Sequence, residues 1–446
     1  MTDLVLTDAT VLTGDPAEPL IERGVVAIAG QCIEAVGSAT ALGAAFLDAP
    51  RLSLPGRVIV PGFVNIHTHA VLCLMRGLAL DMGHAPAYTR GVPHGHEIAP
   101  DEAVALARLG ALEALLFGST VMADSYVHAD LTLPAMAALG LRVFACGRVH
   151  DVDFSRVHDG VWRHDDAIGD ATLAATRALI QAHHGTAGGR ANVILAPHAP
   201  DTCSDRLLTQ VAALARETGL GVMIHLSQSQ AENQVIRERS GATPAELLAR
   251  VGLLNDRLIA AHCIHVTPDD IARIGGFGAT VAHVPKGNAT GGTMAPTPAL
   301  RAAGARLALG TDNLTQDMAE AMRWALIVAR LQEGEVSERW QPRDVFRMAT
   351  ANGATALGLG DRLGRIAADW LADLVVFDFR RPHLAPCLDP LGTLVHDGQG
   401  RDVEHVFIDG RHVVRDGHAV LVDETRIRAD AQAVAERLWA RARAQA

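Results

Sequence analysis

The chain has 446 residues, of which 49% are hydrophobic and 20% charged, and its formal net charge is −11. This length predicts two or three domains, or one barrel with an accessory domain. An acidic chain without a basic cluster argues against nucleic acid and anionic membranes as partners. No apolar run reaches the roughly 18 residues of a membrane span, the amino-terminal residues lack the pattern of a signal peptide, and the six cysteines form no CxxC pair. We therefore expect a cytoplasmic protein with reduced thiols.

Short alternating strands open the chain and return near its end. LVLTDATVLTG and RVIVPG lie in the first part, and ADLVVFDF and VEHVFIDGRHVV lie in the last part. The two segments predict one composite β-sandwich domain, built from residues 1–58 and 366–425. Residues 426–446 are predicted to form a C-terminal helix.

The centre of the chain alternates short apolar runs with helical stretches, as in NVILAPHAP followed by SDRLLTQVAALARETG. Strands that alternate with helices are typical of parallel βα units. Their number between residues 59 and 365 predicts an α/β fold with a (β/α)₈ TIM-like barrel. In such a barrel the chemistry lies at the carboxyl ends of the strands. Polar residues follow the apolar runs at these points, among them His67, His69, His198, His225, His262, His283 and Asp312.

The His-Thr-His sequence in PGFVNIHTHA is the first candidate for metal binding. Residues i and i+2 of a strand point to the same side, so His67 and His69 are expected to project together. Two converging imidazoles form half of a site for a metal such as zinc. Taken alone, the motif equally fits a pair of hydrogen-bonded core histidines.

Two further strand ends complete a ligand set. His225 ends the run GVMIH, and Asp312 follows RLALGT. His225 or Asp312 alone would fit a structural residue. Together with the two histidines of the His-Thr-His sequence they provide three histidines and one carboxylate and leave a position for water. We expect one divalent metal ion per chain, with zinc favoured and iron also suited to these ligands.

His262 ends the run LIAAH and is expected to face the barrel mouth. A neutral imidazole at this place can polarise a substrate or move a proton. The alternative is a core histidine that supports the metal ligands.

PGFVNIHTH, APHAPDTCS, the His225 strand, AAHCIH, VAHVPKGN and LALGTDN occur in this order. With the split β-domain they resemble the amidohydrolase superfamily, in particular its branch of cytosine and guanine deaminases, adenosylhomocysteine deaminases and s-triazine hydrolases. The resemblance covers nearly the whole chain. It implies that His67, His69, His225 and Asp312 bind the metal, that Asp312 also takes the proton of the attacking water, and that His262 polarises the substrate. It further implies a substrate contact for His198 and a homo-oligomer, a dimer or larger.

The sequence departs from this branch at Gln228, where a proton-shuttling glutamate is usual three residues after the histidine. An amide cannot exchange a proton at working pH, so one link of the deaminase proton path is missing. Glu232, one helical turn further on, is expected to be solvated or to stabilise a helix.

Asp201 and Lys286 also differ from the usual residues of the branch, and Lys286 is the single lysine of the chain. Both are expected on loops at the barrel mouth. One interpretation is an ion pair between them that stabilises the fold by about 0–1 kcal/mol. The other is a functional lysine that binds an anionic group of the substrate or replaces the missing proton donor. Arg148 and His150 are further candidates for substrate contact.

We expect a hydrolase that acts on a C–N bond of a small heterocyclic or amide-like substrate, with deamination as the leading reaction. The alternatives are departure of another leaving group (amide, carbamate or halide) and a metal-bound protein that only binds a ligand. The low aromatic content of 4% argues mildly against a nucleobase substrate. The long segment after the first barrel strand, with Asp81, His84, His94, His96 and Glu97, is expected to shape the substrate site.

Overall fold

The computed structural model describes residues 2–78, 82, 91–313 and 315–445. Asp81 and His84 lie outside these residues, and the side chain of His96 is also outside the description.

Strands from both ends of the chain share one nine-stranded sheet. The first part of the chain contributes β1 (Leu4–Leu12), β2 (Leu20–Ala29), β3 (Cys32–Ser38), β4 (Arg51–Ser53) and β5 (Arg57–Pro61). The last part contributes β14 (Leu374–Asp378), β15 (Val403–Ile408), β16 (Arg411–Arg415) and β17 (His418–Ala419). Their order is β17-β16-β15-β14-β5-β1-β2-β3, with β4 beside β1. The two ends meet where β5 and β14 pair antiparallel, with Val60 opposite Val375.

The eight central strands are parallel and form two sheets of four. They are β6 (Phe63–Thr68), β7 (Ser119–Tyr126), β8 (Arg142–Gly147), β9 (Ala191–Val193), β10 (Val222–Leu226), β11 (Leu258–His262), β12 (Thr280–His283) and β13 (Arg306–Leu309). Single parallel bridges, Leu195 to Val222 and Thr68 to Asp312, link the two sheets at both edges. With helices between successive strands, this is a TIM-barrel-type fold.

The helices are α1 (Ala39–Leu42), α2 (Pro100–Leu116), α3 (Ala129–Ala137), α4 (Asp166–His183), α5 (Thr186–Gly189), α6 (Asp205–Thr218), α7 (Gln230–Ser240), α8 (Pro244–Arg250), α9 (Pro268–Gly276), α10 (Pro285–Thr290), α11 (Thr297–Ala302), α12 (Met318–Glu333), α13 (Pro342–Ala349), α14 (Ala351–Ala356), α15 (Pro390–His396) and α16 (Glu424–Gln445). Local sequence sets their ends. In α6, the Ser204 side chain accepts the amide of Leu207, and Gly219 ends the helix with φ +72°. None of the helices among the described residues combines the length and the apolar character needed to cross a bilayer.

Small and branched apolar side chains fill the space between the central strands. The cluster includes Val64, Ile66, Met223, Ile259, Ala261, Ala282 and Ala308. Packing of this kind makes a barrel a solid core, so that polar residues gather where the strands end. The predicted metal ligands lie at these carboxyl ends, on β6 and β10 and directly after β13.

Candidate metal centre

Three histidines converge at the carboxyl ends of β6 and β10. The rings of His67, His69 and His225 lie 4.9 to 5.3 Å apart between centroids. Nε2 of His69 and Nε2 of His225 are 3.2 Å apart, and one ring nitrogen from each of the three rings lies within 4.8 Å of the others. All three residues are buried. Such spacing fits nitrogen ligands that surround one metal ion.

Backbone carbonyls fix how two of these rings are protonated. Nδ1 of His69 lies 2.6 Å from the carbonyl oxygen of Ser125, and Nδ1 of His225 lies 2.6 Å from that of His198. Because a carbonyl can only accept, each Nδ1 carries the proton and each Nε2 keeps its lone pair for a metal. Bonds of this kind orient metal-ligating histidines.

Asp312 supplies the carboxylate beside the three rings. Its Oδ1 lies 3.5 Å from Nε2 of His69. The residue has φ +59°, and its backbone amide donates to the carbonyl oxygen of His67 at 3.0 Å. Gly310 allows this close approach, because a Cβ there would lie 2.7 Å from Cβ of His67. The positive φ is uncommon for a residue other than glycine and is held by these contacts to β6.

His262 ends β11 on the other side of the carboxylate. Its Nε2 lies 3.9 Å from Oδ2 of Asp312, and its Nδ1 lies 3.0 Å from Oδ1 of Asn288. One ligand atom each from His67, His262 and Asp312 forms a second group within 4.8 Å. His262 is therefore close enough to share a reacting atom with the carboxylate.

Burial keeps these imidazoles neutral. It lowers the pKa of His67 and of His225 well below the usual range and lowers the pKa of His69, and the neighbouring histidines act in the same direction on His67 and His225. Burial also lowers the pKa of His262 to about 4. Nε2 of His67 and Nε2 of His262 are buried without a hydrogen-bond partner among the described residues. Neutral rings with free, buried lone pairs fit a divalent metal, which such nitrogens require deprotonated.

Two aromatic side chains lie close to the candidate centre, the buried Tyr126 and the half-buried Phe154. The guanidinium carbon of Arg148 lies 5.0 Å from the Tyr126 ring centroid and 5.1 Å from that of Phe154. Phe154 contacts His150 and His198, and the His198 ring lies 4.9 Å from that of His225. The low aromatic content of the whole chain therefore does not mean that the candidate centre has no aromatic neighbours, because two of the few aromatic rings lie beside it.

The segment after β6 reaches this wall in its described part. Gly95 packs so closely on Tyr126 that a Cβ would lie 2.9 Å from the phenol oxygen. The backbone carbonyl of Glu97 accepts from Arg441 of α16 at 2.5 Å. His94, which directly precedes Gly95, is half-buried.

Glu232, close to the turn after His225, was expected to be either solvated or helix-stabilising, and the structure decides between these two. Glu232 is 2% exposed, so it is not solvated. Its two carboxylate oxygens accept the amides of Ser227 and Gln228 at 2.7 and 2.8 Å. The predicted helix-stabilising alternative matches this geometry at the start of α7. Gln228 itself is half-buried.

Of the two interpretations of Asp201 and Lys286, the ion pair between them was wrong. Nζ of Lys286 lies 2.8 Å from Oε2 of Glu320, which α12 supplies. Asp201 is 6% exposed, and its Oδ1 has no hydrogen-bond partner among the described residues. Lys286 nonetheless lies beside the centre, because the next residue, Gly287, would place a Cβ 3.7 Å from Oδ2 of Asp312. Local sequence does not reveal Glu320, which lies 34 residues away and in a different helix.

Sequence reasoning missed several residues that support the centre. The carboxylate of Asp124 accepts the amide of Ala70 at 2.6 Å, and burial raises the pKa of Asp124 to about 7. Asn288 orients His262, and Ser125 orients His69. The run VMADSY ends in polar residues, which is the same signal that identified the histidines. No comparable pattern identifies Asn288.

Comparison with known proteins gives a consistent family. Residues 58–413 match the amidohydrolase family. The 5'-deoxyadenosine deaminase of Methanosarcina mazei is 32% identical, with 99% of each chain covered. The 5-methylthioadenosine/S-adenosylhomocysteine deaminase of Moorella thermoacetica is also 32% identical, with 96% of this chain and 97% of the other covered.

Solved structures agree with the fold. An adenosine deaminase from Xanthomonas campestris with bound zinc has a TM-score of 0.87 at 27% identity, with 98% of each chain covered. An atrazine chlorohydrolase from Arthrobacter aurescens, complexed with zinc, has a TM-score of 0.86 at 24% identity, with 97% of this chain and 100% of that one covered. The convergent histidines and the carboxylate provide the site that a divalent metal needs. The chain therefore belongs to the amidohydrolase family and is a metal-dependent hydrolase that acts on C–N bonds other than peptide bonds.

Proposed function

We propose that the chain hydrolytically deaminates an adenosine-type nucleoside, with one zinc ion held by His67, His69, His225 and Asp312. The observation that carries this proposal is the convergence of these ligand atoms within one buried centre. The choice of substrate class rests on relatives that share 32% identity over nearly the whole chain and are named as deaminases of 5'-substituted adenosines.

The metal, when bound, supplies Lewis acidity that activates water near neutral pH. Asp312 takes the proton of the attacking water, since its carboxylate lies between the ligand histidines and His262. His262 polarises the purine at the carbon that is attacked, and Asn288 holds its ring. Each proton transfer of this kind contributes typically 10²- to 10⁴-fold to the rate.

The wall of the mouth binds the substrate in this proposal. The guanidinium of Arg148, which lies over the rings of Tyr126 and Phe154, supplies hydrogen-bond donors to the substrate, and half-buried Phe154 borders the same place. His198, packed on His225, contacts the base. For Asp201 the burial of the carboxyl group favours a supporting role over direct contact.

Gln228 leaves the departing ammonia without its usual proton donor. We assign this task to Lys286, whose ammonium would have to leave Glu320 to reach the substrate. Gln228 also favours a second candidate function, in which an amide, carbamate or halide departs. A weakly basic leaving group such as halide needs little protonation, so a neutral Gln228 is no obstacle there.

The proposal also includes the larger architecture. A closed barrel spans residues 59–365, a composite β-sandwich domain is formed by residues 1–58 and 366–425, and residues 426–446 form the C-terminal helix. The bridges at both edges of the central sheets and the pairing of β5 with β14 support this division. We further propose a homo-oligomer, which light scattering would test by a mass of at least twice 47.1 kDa.

The test is ammonia release by zinc-loaded protein from 5'-deoxyadenosine, methylthioadenosine, adenosine, aminopyrimidines, pterins and aminotriazines. Release from the adenosines, reduced by about 10³-fold or more in Asp312→Asn, would support the proposal. The matched control is Asp361→Asn, because Asp361 is exposed and distant from Asp312 in the sequence. No release from protein that carries zinc would refute it and direct the search to halogenated rings, amides and carbamates.

A further inference from the structure

Four buried polar side chains lie where β6 meets the strand end that carries Asp312. They are 0 to 5% exposed and belong to Asn65, Thr68, Thr311 and Gln316. The first two are residues of β6, and the last two follow β13. The proposed reaction uses none of them directly. Buried polar groups are costly unless each finds a partner, so this arrangement calls for an explanation.

The backbone of Asp312 is bonded to both candidate metal ligands of β6. Its amide donates to the carbonyl oxygen of His67 at 3.0 Å, and its carbonyl oxygen accepts the amide of His69 at 3.3 Å. Its φ of +59° is left-handed, which a residue with a side chain adopts only where neighbouring groups hold it. The direction of the Asp312 carboxylate therefore depends on the contacts that hold this backbone.

A side-chain hydrogen bond from β6 holds the same backbone. The hydroxyl group of Thr68 donates to the carbonyl oxygen of Asp312 at 2.8 Å, which is nearer than Oε1 of Gln316 at 3.1 Å. Because the hydroxyl hydrogen is used there, Oγ1 of Thr68 accepts from Nε2 of Gln316, at 2.9 Å. Oε1 of Gln316 in turn accepts the hydroxyl of Thr311 at 3.1 Å. This place needs a donor and an acceptor in one side chain, and a carboxamide provides both.

Asn65 completes the network at its other end. Its Nδ2 donates to Oγ1 of Thr311 at 2.7 Å and lies 3.2 Å from Oε1 of Gln316. Its Oδ1 accepts the amide of Thr311 at 3.2 Å and that of His67 at 3.4 Å. The hydrogen bonds therefore run in one direction, from Asn65 to the carbonyl oxygen of Asp312. Buried bonds in such a chain strengthen one another.

We infer that Gln316 is a positioning residue for the candidate metal centre. Its carboxamide keeps the hydroxyl hydrogen of Thr68 directed at the carbonyl oxygen of Asp312. It thereby fixes the left-handed backbone of Asp312, and with it the direction of the carboxylate relative to His67 and His69. The inference rests on the proposed function in one respect, that these three residues bind the metal.

The first test is the zinc affinity of the whole chain, measured by competition with a coloured chelator. Gln316→Met keeps a side chain of similar length without the carboxamide, so the zinc Kd should rise by about 10- to 100-fold, the usual effect of losing a group that orients a ligand. The matched control is Gln332→Met, at the opposite end of α12. Gln332 also accepts from a threonine, Thr297 at 3.3 Å, and donates to a carbonyl, that of Ala295 at 2.8 Å. It should keep the wild-type Kd.

The hydroxyl group of Thr68 provides an independent pair of variants. Thr68→Val removes the hydroxyl at nearly constant volume and should raise the zinc Kd as Gln316→Met does, whereas Thr68→Ser keeps the hydroxyl and should bind zinc as wild type does. Thr176→Val is the control, because it removes a hydroxyl that is buried in α4 and donates to the carbonyl of Thr172 at 3.0 Å. Wild-type Kd in Gln316→Met and Thr68→Val would overturn the inference, as would equal Kd values for Thr68→Val and Thr68→Ser. If Gln316→Met does not fold, the Thr68 pair decides alone.

The visible absorption of the cobalt(II)-loaded protein reports the geometry of the ligands. Gln316→Met and Thr68→Val should change the position or intensity of the bands, and Gln332→Met and Thr176→Val should not. Reduced stability together with an unchanged spectrum would show that the network only stabilises the fold, and would overturn the inference.

Turnover separates this inference from the proposed function. Zinc-saturated Gln316→Met should have kcat lowered by about tenfold and KM little changed, because the side chains of the network are buried. A wild type that binds zinc but releases no ammonia would contradict the proposed deamination, while the zinc and cobalt comparisons would still decide the role of Gln316. A wild type that binds no zinc would overturn both.

Discussion

Arg142 connects the central strands to the terminal sheet through buried charges, and we predict that Arg142→Met destabilises the protein strongly. The guanidinium pairs with Asp409 and lies 3.6 Å from Oδ1 of Asp373. Its side chain is 5% exposed, and the side chains of the two carboxylates are 2% and 1% exposed. Arg190 is a second cation nearby, 3.5 Å from Asp409.

The magnitude follows from what the substitution leaves behind. Methionine fills similar space but leaves the carboxylates of Asp373 and Asp409 buried, with Arg190 as their remaining cation among the residues that the structure describes. Removal of one partner from a buried pair costs about 3–5 kcal/mol of the free energy of unfolding. Without Arg142, the pKa of Asp373, already raised by burial to about 6, rises further. A raised carboxyl pKa reduces stability as pH rises, so the loss should be larger at pH 8 than at pH 5.

Denaturant unfolding followed by tryptophan fluorescence measures this loss. The control Arg177→Met removes an ion pair with Glu217 on the surface and should leave the unfolding midpoint unchanged. The double variant Arg142→Met, Asp409→Asn should recover part of the lost stability, because one uncompensated charge is gone. Equal midpoints for Arg142→Met and Arg177→Met would refute this account. Arg142 begins β8 at the amino end of the strand, opposite the candidate metal centre, so kcat of the folded variant should stay near that of wild type.

Two further predictions concern Lys286 and His283. If Lys286 delivers a proton, Lys286→Met should lower kcat by about 10²-fold, whereas Glu320→Gln, which frees the ammonium, should change it little; equal losses in steady-state assays would mark the ion pair as structural. Burial and His262 lower the pKa of His283 to about 3, so the folded protein loses about 1.4 kcal/mol per pH unit from this group as pH falls from about 6.5 toward 3. His283→Gln should flatten acid unfolding, whereas the exposed control His418→Gln should not.

The positions of the candidate metal ligands were predictable because their signal is local. A polar residue directly after an apolar strand marks the end of a barrel strand, and the i, i+2 spacing of His67 and His69 gives their common direction. The structure brings both histidines together with His225, and it places the Asp312 carboxylate beside His69, so the cluster draws on three different strand ends. The alternation of strands and helices gave the fold class for the same reason.

The partners of individual charges were not predictable. Glu320 pairs with Lys286 across helices that are distant in sequence, and Glu232 is buried although its own helix is polar on average. Both outcomes depend on how α7 and α12 pack against the strands. The hydrophobic periodicity of the sequence does not determine this packing. Composition was misleading for Tyr126 and Phe154, because a low average says nothing about where the few rings lie.

Gln228 distinguishes the two candidate reactions through the fate of the leaving group. An amino group is a poor leaving group until its nitrogen is protonated and it can depart as ammonia, whereas halide departs without a proton. Gln228→Glu restores an acid with almost no change in size, so a deaminase limited by proton delivery should gain at least about tenfold in kcat. The control is Gln230→Glu, two residues on and exposed in α7. A gain confined to Gln228→Glu, measured with adenosine substrates, would show that proton delivery limits the natural enzyme. A loss with adenosines, together with turnover of a halogenated ring by wild type, would show instead that the glutamine suits a leaving group that needs no acid.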